Sequence, residues 1–259
     1  MELFESKYIS PATSEKPEYL LALLHGYSGS IETTLPTAQN LSKQMPEAGI
    51  LVINGCEPFE DNPHMPIERR PDSRQWFSLI TPDSAEFSVP VAHSRIARLV
   101  PNLHSFIEAQ AGMLGLDLGR VGILGFSQGS LVATFLALAR RYGACVGISS
   151  GLAVDIDSPT VTADIPGFNT AAFKTAWSNG GMNGDCDTSA QSHKYTPILL
   201  LHGDRDQRIN YTKTQLGARV LTCIGVEVEA KIFRGVGHEV CDGMIDASVE
   251  FLRRHMQFS

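Results

Sequence analysis

Six short stretches of this sequence are apolar almost from end to end: residues 19–25, 49–53, 121–126, 144–149, 197–202 and 226–233. Each closes on a glycine or a polar turn. A strand with one wet face alternates apolar and polar side chains, whereas an unbroken apolar run is expected when both faces are covered, as in a parallel sheet. Helical patterns fall between the runs, at residues 35–45, 128–141, Thr212–Cys223 and 244–256. Ile96, Leu99, Val100, Leu103, Phe106 and Ile107 add an apolar stripe at helical spacing, which Pro101 should kink or restart. Strands alternating with helices predict a doubly wound, mostly parallel α/β sheet, whose functional loops lie at the carboxyl ends of the strands.

Neither a repeat nor a low-complexity tract divides the 259 residues, so residues 1–259 read as one domain. With 43% apolar and 19% charged residues the chain is not a disordered one. Its net charge of −7 leaves no basic face for a phosphate backbone, which excludes nucleic acid as the partner. The N-terminus lacks a basic region followed by an apolar run, so no secretory signal is expected. The longest apolar stretch, residues 131–139, is interrupted by Thr134 and falls far short of the ~18 residues of a membrane span. No integral membrane segment is expected. The five cysteines, Cys56, Cys145, Cys186, Cys223 and Cys241, show no zinc or redox spacing. Their odd number suggests free thiols in a reducing cytoplasm.

One segment breaks the alternation. Residues 153–196 are rich in Asp, Ser, Thr, Asn and Gly, and so long a loop is uncommon unless functional or disordered. Phe168, Ala172, Phe173, Ala176 and Trp177 could form the apolar face of one short helix there, as a cap over the site or a structural plug.

The strongest chemical signal is Gly125-Phe126-Ser127-Gln128-Gly129, which follows one apolar run and precedes an Ala-rich helix. A nucleophile elbow needs that context, with small residues flanking the serine where backbones approach closely. The helix N-terminus then favours developing negative charge beside Ser127. Where a serine elbow opens such a sheet, the acid and then the base follow it in the chain. Of the downstream histidines, His193 falls in the irregular segment, His255 lies beside two arginines in a terminal helix, and His202 ends a strand just before the acid loop. His238, in a glycine-flanked loop between the last strand and the last helix, is the base of choice. The loop His202-Gly203-Asp204-Arg205-Asp206 offers two carboxylates; Asp204 sits in the turn itself, and Asp206 has room to reach a histidine. Two backbone N–H groups should form the oxyanion hole: that of Gln128, and one from His25-Gly26-Tyr27-Ser28-Gly29, with Tyr27 the favoured donor and His25 a structural residue.

His25-Gly26-Tyr27, Arg74-Gln75-Trp76-Phe77, the Ser127 pentapeptide, His202-Gly203-Asp204-Arg205-Asp206 and Gly237-His238 fall in the order of the phospholipase/carboxylesterase family, which the chain resembles outside residues 153–196. That family includes bacterial carboxylesterases and acyl-protein thioesterases. The resemblance implies an α/β-hydrolase fold, a Ser127–Asp206–His238 triad, and Trp76 and Phe77 beside the acyl pocket as substrate-binding residues; ordinary core packing is the other reading of that pair. Ser130 replaces the glycine usual after the pentapeptide, and the 153–196 segment looks longer than in compact members.

Asp155-Ile156-Asp157 and Asp185-Cys186-Asp187 lack the glycine and terminal glutamate of a calcium loop, and no phosphate-cradling glycine loop follows a strand. A hydrolase without metal or cofactor is expected, acting on small-molecule esters or thioesters through an acyl-enzyme, and a homodimer is compatible with the sequence. The alternatives are an acyl-protein thioesterase or lysophospholipase acting on long acyl chains and, in another class, a non-catalytic binding module on a hydrolase fold.

Overall fold

The structure, a computed structural model, describes residues 4–61, 67, 69–80, 88–150, 152 and 194–256. The candidate cap, with Phe168, Phe173 and Trp177, lies outside the described residues. Seven strands form one sheet: β1 (Ser6–Ile9), β2 (Tyr19–Leu24), β3 (Ala48–Ile53), β6 (Val121–Phe126), β7 (Ala144–Ile148), β8 (Ile198–Gly203) and β9 (Val228–Phe233). Their order across the sheet is β1-β3-β2-β6-β7-β8-β9. All neighbours run parallel except β1, which pairs antiparallel with β3. A two-stranded ribbon, β4 (Glu57–Pro58) with β5 (Arg74–Gln75), stands apart.

Helices cover both faces, which is why the central strands are apolar throughout. Leu20, Ala22 and Leu24 of β2 belong to one core with residues of α2 (Val89–Met113), α3 (Gln128–Ala139) and α4 (Thr212–Cys223). Leu21 and Leu23 face α1 (Ile31–Gln44) and α5 (Asp242–Met256) on the other side. Every residue of α3 is buried, as expected of a helix apolar all round and packed in the centre. Among the described residues no helix is long and apolar enough to cross a membrane.

Two expectations are corrected, and one strand lies outside the apolar runs. Pro101 neither ends nor restarts its helix: α2 is one 25-residue element. The ring lies on the exposed side, where water can serve the carbonyl that the missing N–H leaves unpaired. The cysteines are not all free: Cys56, Cys145 and Cys241 are, but Cys223 is disulfide-bonded. A disulfide joins residues that the fold brings together, which spacing along the chain does not reveal. Finally, β1 carries no apolar run. Its burial is that of an exposed edge, held by pairing with β3 and by Tyr8, which lies over Gly49.

Going outward from β2, the chain passes to β3 on one side and to β6 on the other. The loop after β2 leads to α1 on one face, and the loop after β6 leads to α3 on the opposite face. Such a switch point opens a crevice at the carboxyl ends of the strands. Gly26, Tyr27 and Ser127 all lie there.

Candidate active site

Ser127 joins β6 to α3 with φ 51° and ψ −115°, a conformation that costs a non-glycine residue about 1–3 kcal/mol. The turn is held by its neighbours. The Ser127 N–H donates to the Ile148 carbonyl at 2.8 Å. A Cβ on Gly125 would lie 2.2 Å from the Gly129 carbonyl oxygen, and one on Gly129 would lie 2.3 Å from that of Leu24. Both flanking glycines are therefore required by backbone contacts, as the spacing predicts.

His238 reaches Ser127 from the loop between β9 and α5. Its Nε2 is 2.9 Å from Ser127 Oγ and its Nδ1 2.7 Å from Asp206 Oδ2. The carboxylate accepts from Nδ1–H, which leaves Nε2 free to accept the serine proton. The ring leans on Phe126, with centroids 5.0 Å apart. The Asp206 side chain is buried yet well supplied: Oδ1 accepts from the backbone N–H groups of Arg208 at 2.8 Å and Ile209 at 2.9 Å. Burial pushes its carboxyl up, but the Ile209 N–H and the His238 contact outweigh it and hold the group below the usual aspartate value. Asp204 instead accepts from Gly235 N–H at 2.6 Å, and Arg205 N–H donates to the Val236 carbonyl. Asp204 thus ties the acid loop to the loop that carries His238.

The loop after β2 is braced against Ser127. A Cβ on Gly26 would lie 3.3 Å from Ser127 Cβ, so backbone passes directly beside the serine. His25 Nδ1 lies 2.7 Å from the Gly26 carbonyl, and its Nε2 accepts from Gly55 N–H at 2.8 Å, so the partners specify the neutral Nδ1–H tautomer. Burial pulls His25 down to about 4, with Arg74 adding to it and the Gly26 bond opposing. The unfolded chain therefore takes up this proton first as the pH falls. Stability is expected to fall by about 3 kcal/mol from this residue between pH 6.5 and 4, and by no more below that. Urea midpoints across that range check it: a His25→Gln variant should show a shallower dependence by that amount.

The side chain of Gln128 braces the segment at Trp76 and Phe77. Its Oε1 accepts from Trp76 N–H at 2.9 Å and its Nε2 donates to the Phe77 carbonyl at 2.7 Å, while Trp76 Nε1–H donates to the His25 carbonyl at 2.8 Å. Trp76 and Phe77 are consequently buried in the core and do not line the cavity at Ser127. Among the described residues this favours the core-packing reading of the pair over the substrate-binding one: their aromatic bulk and their backbone bonds lock the segment behind Gln128. The cavity of about 380 Å³ in front of Ser127 and His238 has walls of Leu79, Val89, Leu131 and Leu152, with Arg208 and Lys213 as exposed cations at its edge. These come from separate segments with no local signature. A cleft of about 620 Å³ near the start of α1, around Arg69 and Asp72, is larger. It contains neither Ser127 nor His238, so the smaller apolar cavity is the one relevant to the chemistry.

A family model described as phospholipase/carboxylesterase matches residues 5–172 and 182–256. An acyl-protein thioesterase 1 of Neurospora crassa is 26% identical over 144 residues, 55% of this chain and 49% of that protein. A probable carboxylesterase SOBER1-like of Arabidopsis thaliana is 29% identical over 171 residues, 66% of this chain and 55% of that protein. The chain spans about half the length of these curated relatives. Among solved structures, esterase PE8 aligns over 97% of this chain and 99% of its own with a TM-score of 0.71, a likeness of fold at 19% identity.

Proposed function

The chain belongs to the phospholipase/carboxylesterase family, and from that premise we propose that it hydrolyses carboxylic esters or thioesters through an acyl-enzyme on Ser127. The observation that carries the reading is the hydrogen-bonded line Ser127 Oγ–His238–Asp206, at 2.9 and 2.7 Å, opening into an apolar cavity. Ser127 Oγ attacks the carbonyl carbon as His238 Nε2 takes its proton. The backbone N–H groups of Tyr27 and Gln128 meet the oxyanion, the latter aided by the N-terminus of α3. His238 then protonates the departing oxygen or sulfur. Water repeats the sequence on the acyl-enzyme and frees the acid. Asp206 keeps His238 in the Nδ1–H tautomer and offsets its positive charge.

A pocket of this size lies at the lower end of the small-molecule range, about 300–1,000 Å³, which favours short and medium acyl groups. The acyl-protein thioesterase relative favours a second reading, long acyl chains carried by a protein or a lysophospholipid. Arg208 and Lys213 put positive charge at the cavity edge, so esters with a carboxylate at the acyl end belong in the panel. A fluorophosphonate probe should label Ser127, and kcat/KM should be largest for esters of medium chain length. An optimum at sixteen carbons would instead select the second reading, and no labelling would leave a binding module on a hydrolase fold.

The same proposal takes residues 1–259 as one hydrolase domain with the segment 153–196 inserted; the family match is interrupted at residues 173–181, within that segment. Cytoplasmic residence is part of the same proposal. The free thiols of Cys56, Cys145 and Cys241 favour it, and the disulfide at Cys223 argues against it.

A further inference from the structure

His202, near the end of β8, has a fully buried side chain, and the chemistry above leaves it unused. Its Nε2 lies 3.0 Å from Asp206 Oδ2 and 3.0 Å from the Ile209 carbonyl oxygen. An ionised carboxylate and a carbonyl only accept, so Nε2 carries a proton. Nδ1 lies 2.6 Å from Thr214 Oγ1, which is itself 2.7 Å from the Ser150 carbonyl oxygen. Thr214 has one hydroxyl hydrogen for those two acceptors. Turned to Nδ1 it leaves His202 neutral; turned to Ser150 it requires a second ring proton and a cation. Burial lowers His202 below the ordinary histidine value despite the opposing charge of Asp206. In either arrangement of the Thr214 hydroxyl, the two acceptors at Nε2 require a proton there.

Oδ2 of Asp206 thus receives two imidazole N–H groups, one from His238 at 2.7 Å and one from His202 at 3.0 Å. We propose that His202 is a positioning residue of the triad: its Nε2–H holds Oδ2 in line with His238 Nδ1 and draws off part of the negative charge that Asp206 presents to His238. The inference rests on the Ser127–Asp206–His238 assignment. It has two consequences. Without this bond the carboxylate is anchored only through Oδ1, so His238 loses orientation. Asp206 also turns more negative toward His238, which stabilises the imidazolium. The acidic limb of kcat/KM then moves to higher pH, because more alkali is needed to free Nε2. Other charged groups around this pair, among the described residues, include Arg208 and Lys213 at the cavity edge, Asp204 and Arg205 in the acid loop and Glu239 beside His238; the substitutions below leave all five in place.

His202→Asn and His202→Gln separate the roles. Asparagine places an amide near Nδ1 and keeps the Thr214 side, but is too short to reach Asp206. Glutamine extends its amide N–H toward the Nε2 position. Because the two backbone N–H groups still hold Oδ1, the expected loss in H202N is moderate: kcat down about tenfold, as for one hydrogen bond to a charged group, with KM within about twofold and the acidic limb moved up in pH. H202Q should recover most of the rate and return the limb. Wild-type kcat and limb in a folded H202N overturn the proposal, as does an equal loss in both variants with an unmoved limb. Ser127→Ala and Asp206→Asn run alongside; wild-type activity in those would sink the triad itself. Should neither His202 variant fold, nitrogen-15 NMR of the wild-type imidazoles decides between pH values of about 6 and 8. A neutral ring protonated at Nε2 is expected, and one protonated at Nδ1 alone overturns the assignment.

Discussion

Ser127→Ala is expected to lower kcat by about 10⁶-fold and to abolish fluorophosphonate labelling, while the protein melts at its usual temperature. The fold should survive because the substitution removes one oxygen and keeps the backbone contacts that define the elbow: the Ser127 N–H bond to Ile148 and the close passage of Gly125 and Gly129. Alanine meets the positive φ of 51° at much the same cost as serine. Ser127 and His238 act as one unit, so removing both should cost little more than removing one, the residual rate coming from the oxyanion hole and substrate binding. Turnover at the wild-type level by a pure Ser127→Ala preparation would show that the reaction does not pass through this serine. Single-turnover assays with a chromogenic ester make the comparison free of product release.

The parts of the fold legible in the sequence are those where local chemistry and tertiary packing ask for the same residues. The runs that become β2, β3, β7 and β8 send alternate side chains to opposite cores, and both cores are apolar, so the run is continuous. The start of α1 was less legible. Capped by Ser30, the helix begins at Ile31, four residues ahead of the expected one, with Thr33 completing the reciprocal bond in place of the more familiar Glu. Edges left still less trace: Ser6–Ile9 is stabilised by β3, not by any pattern of its own. At the site, Ser127 could be read because steric necessity fixes its flanking glycines. The cavity walls could not. Leu79, Val89, Leu131 and Leu152 look like any core leucine or valine, whereas Trp76 and Phe77 drew attention by size and prove to be bracing. His202 gave a partial signal by standing at a strand end before the acid loop. Its partners come from the acid loop and from α4, and only the folded chain unites them.

The choice between the two carboxylates of the acid loop yields the other large effect. Asp206→Asn is expected to reduce kcat by about 10⁴-fold, the loss seen when the equivalent aspartate of a serine protease is replaced. Each carboxylate oxygen of Asp206 accepts two N–H groups, and asparagine can satisfy only one such pair. With its carbonyl toward Arg208 and Ile209, its NH₂ faces His238 Nδ1. The imidazole then relocates its proton to Nε2, where it blocks the transfer from Ser127. Turned the other way, the NH₂ opposes two buried backbone N–H groups, each costing about 1–3 kcal/mol if left unpaired, so the loop itself loosens. Neither orientation supports catalysis. Asp204→Asn differs because, among the described residues, the side chain of Asp204 hydrogen-bonds the N–H of Gly235 alone, and an asparagine oxygen can accept that bond as well. Its expected effect is within about twofold, the range of a substitution that leaves its contact in place. Measured side by side with a protein-stability control, the two variants rank the carboxylates directly. A large loss in Asp204→Asn with a small one in Asp206→Asn would move the acid by two positions and require His238 to turn toward the other side of the loop.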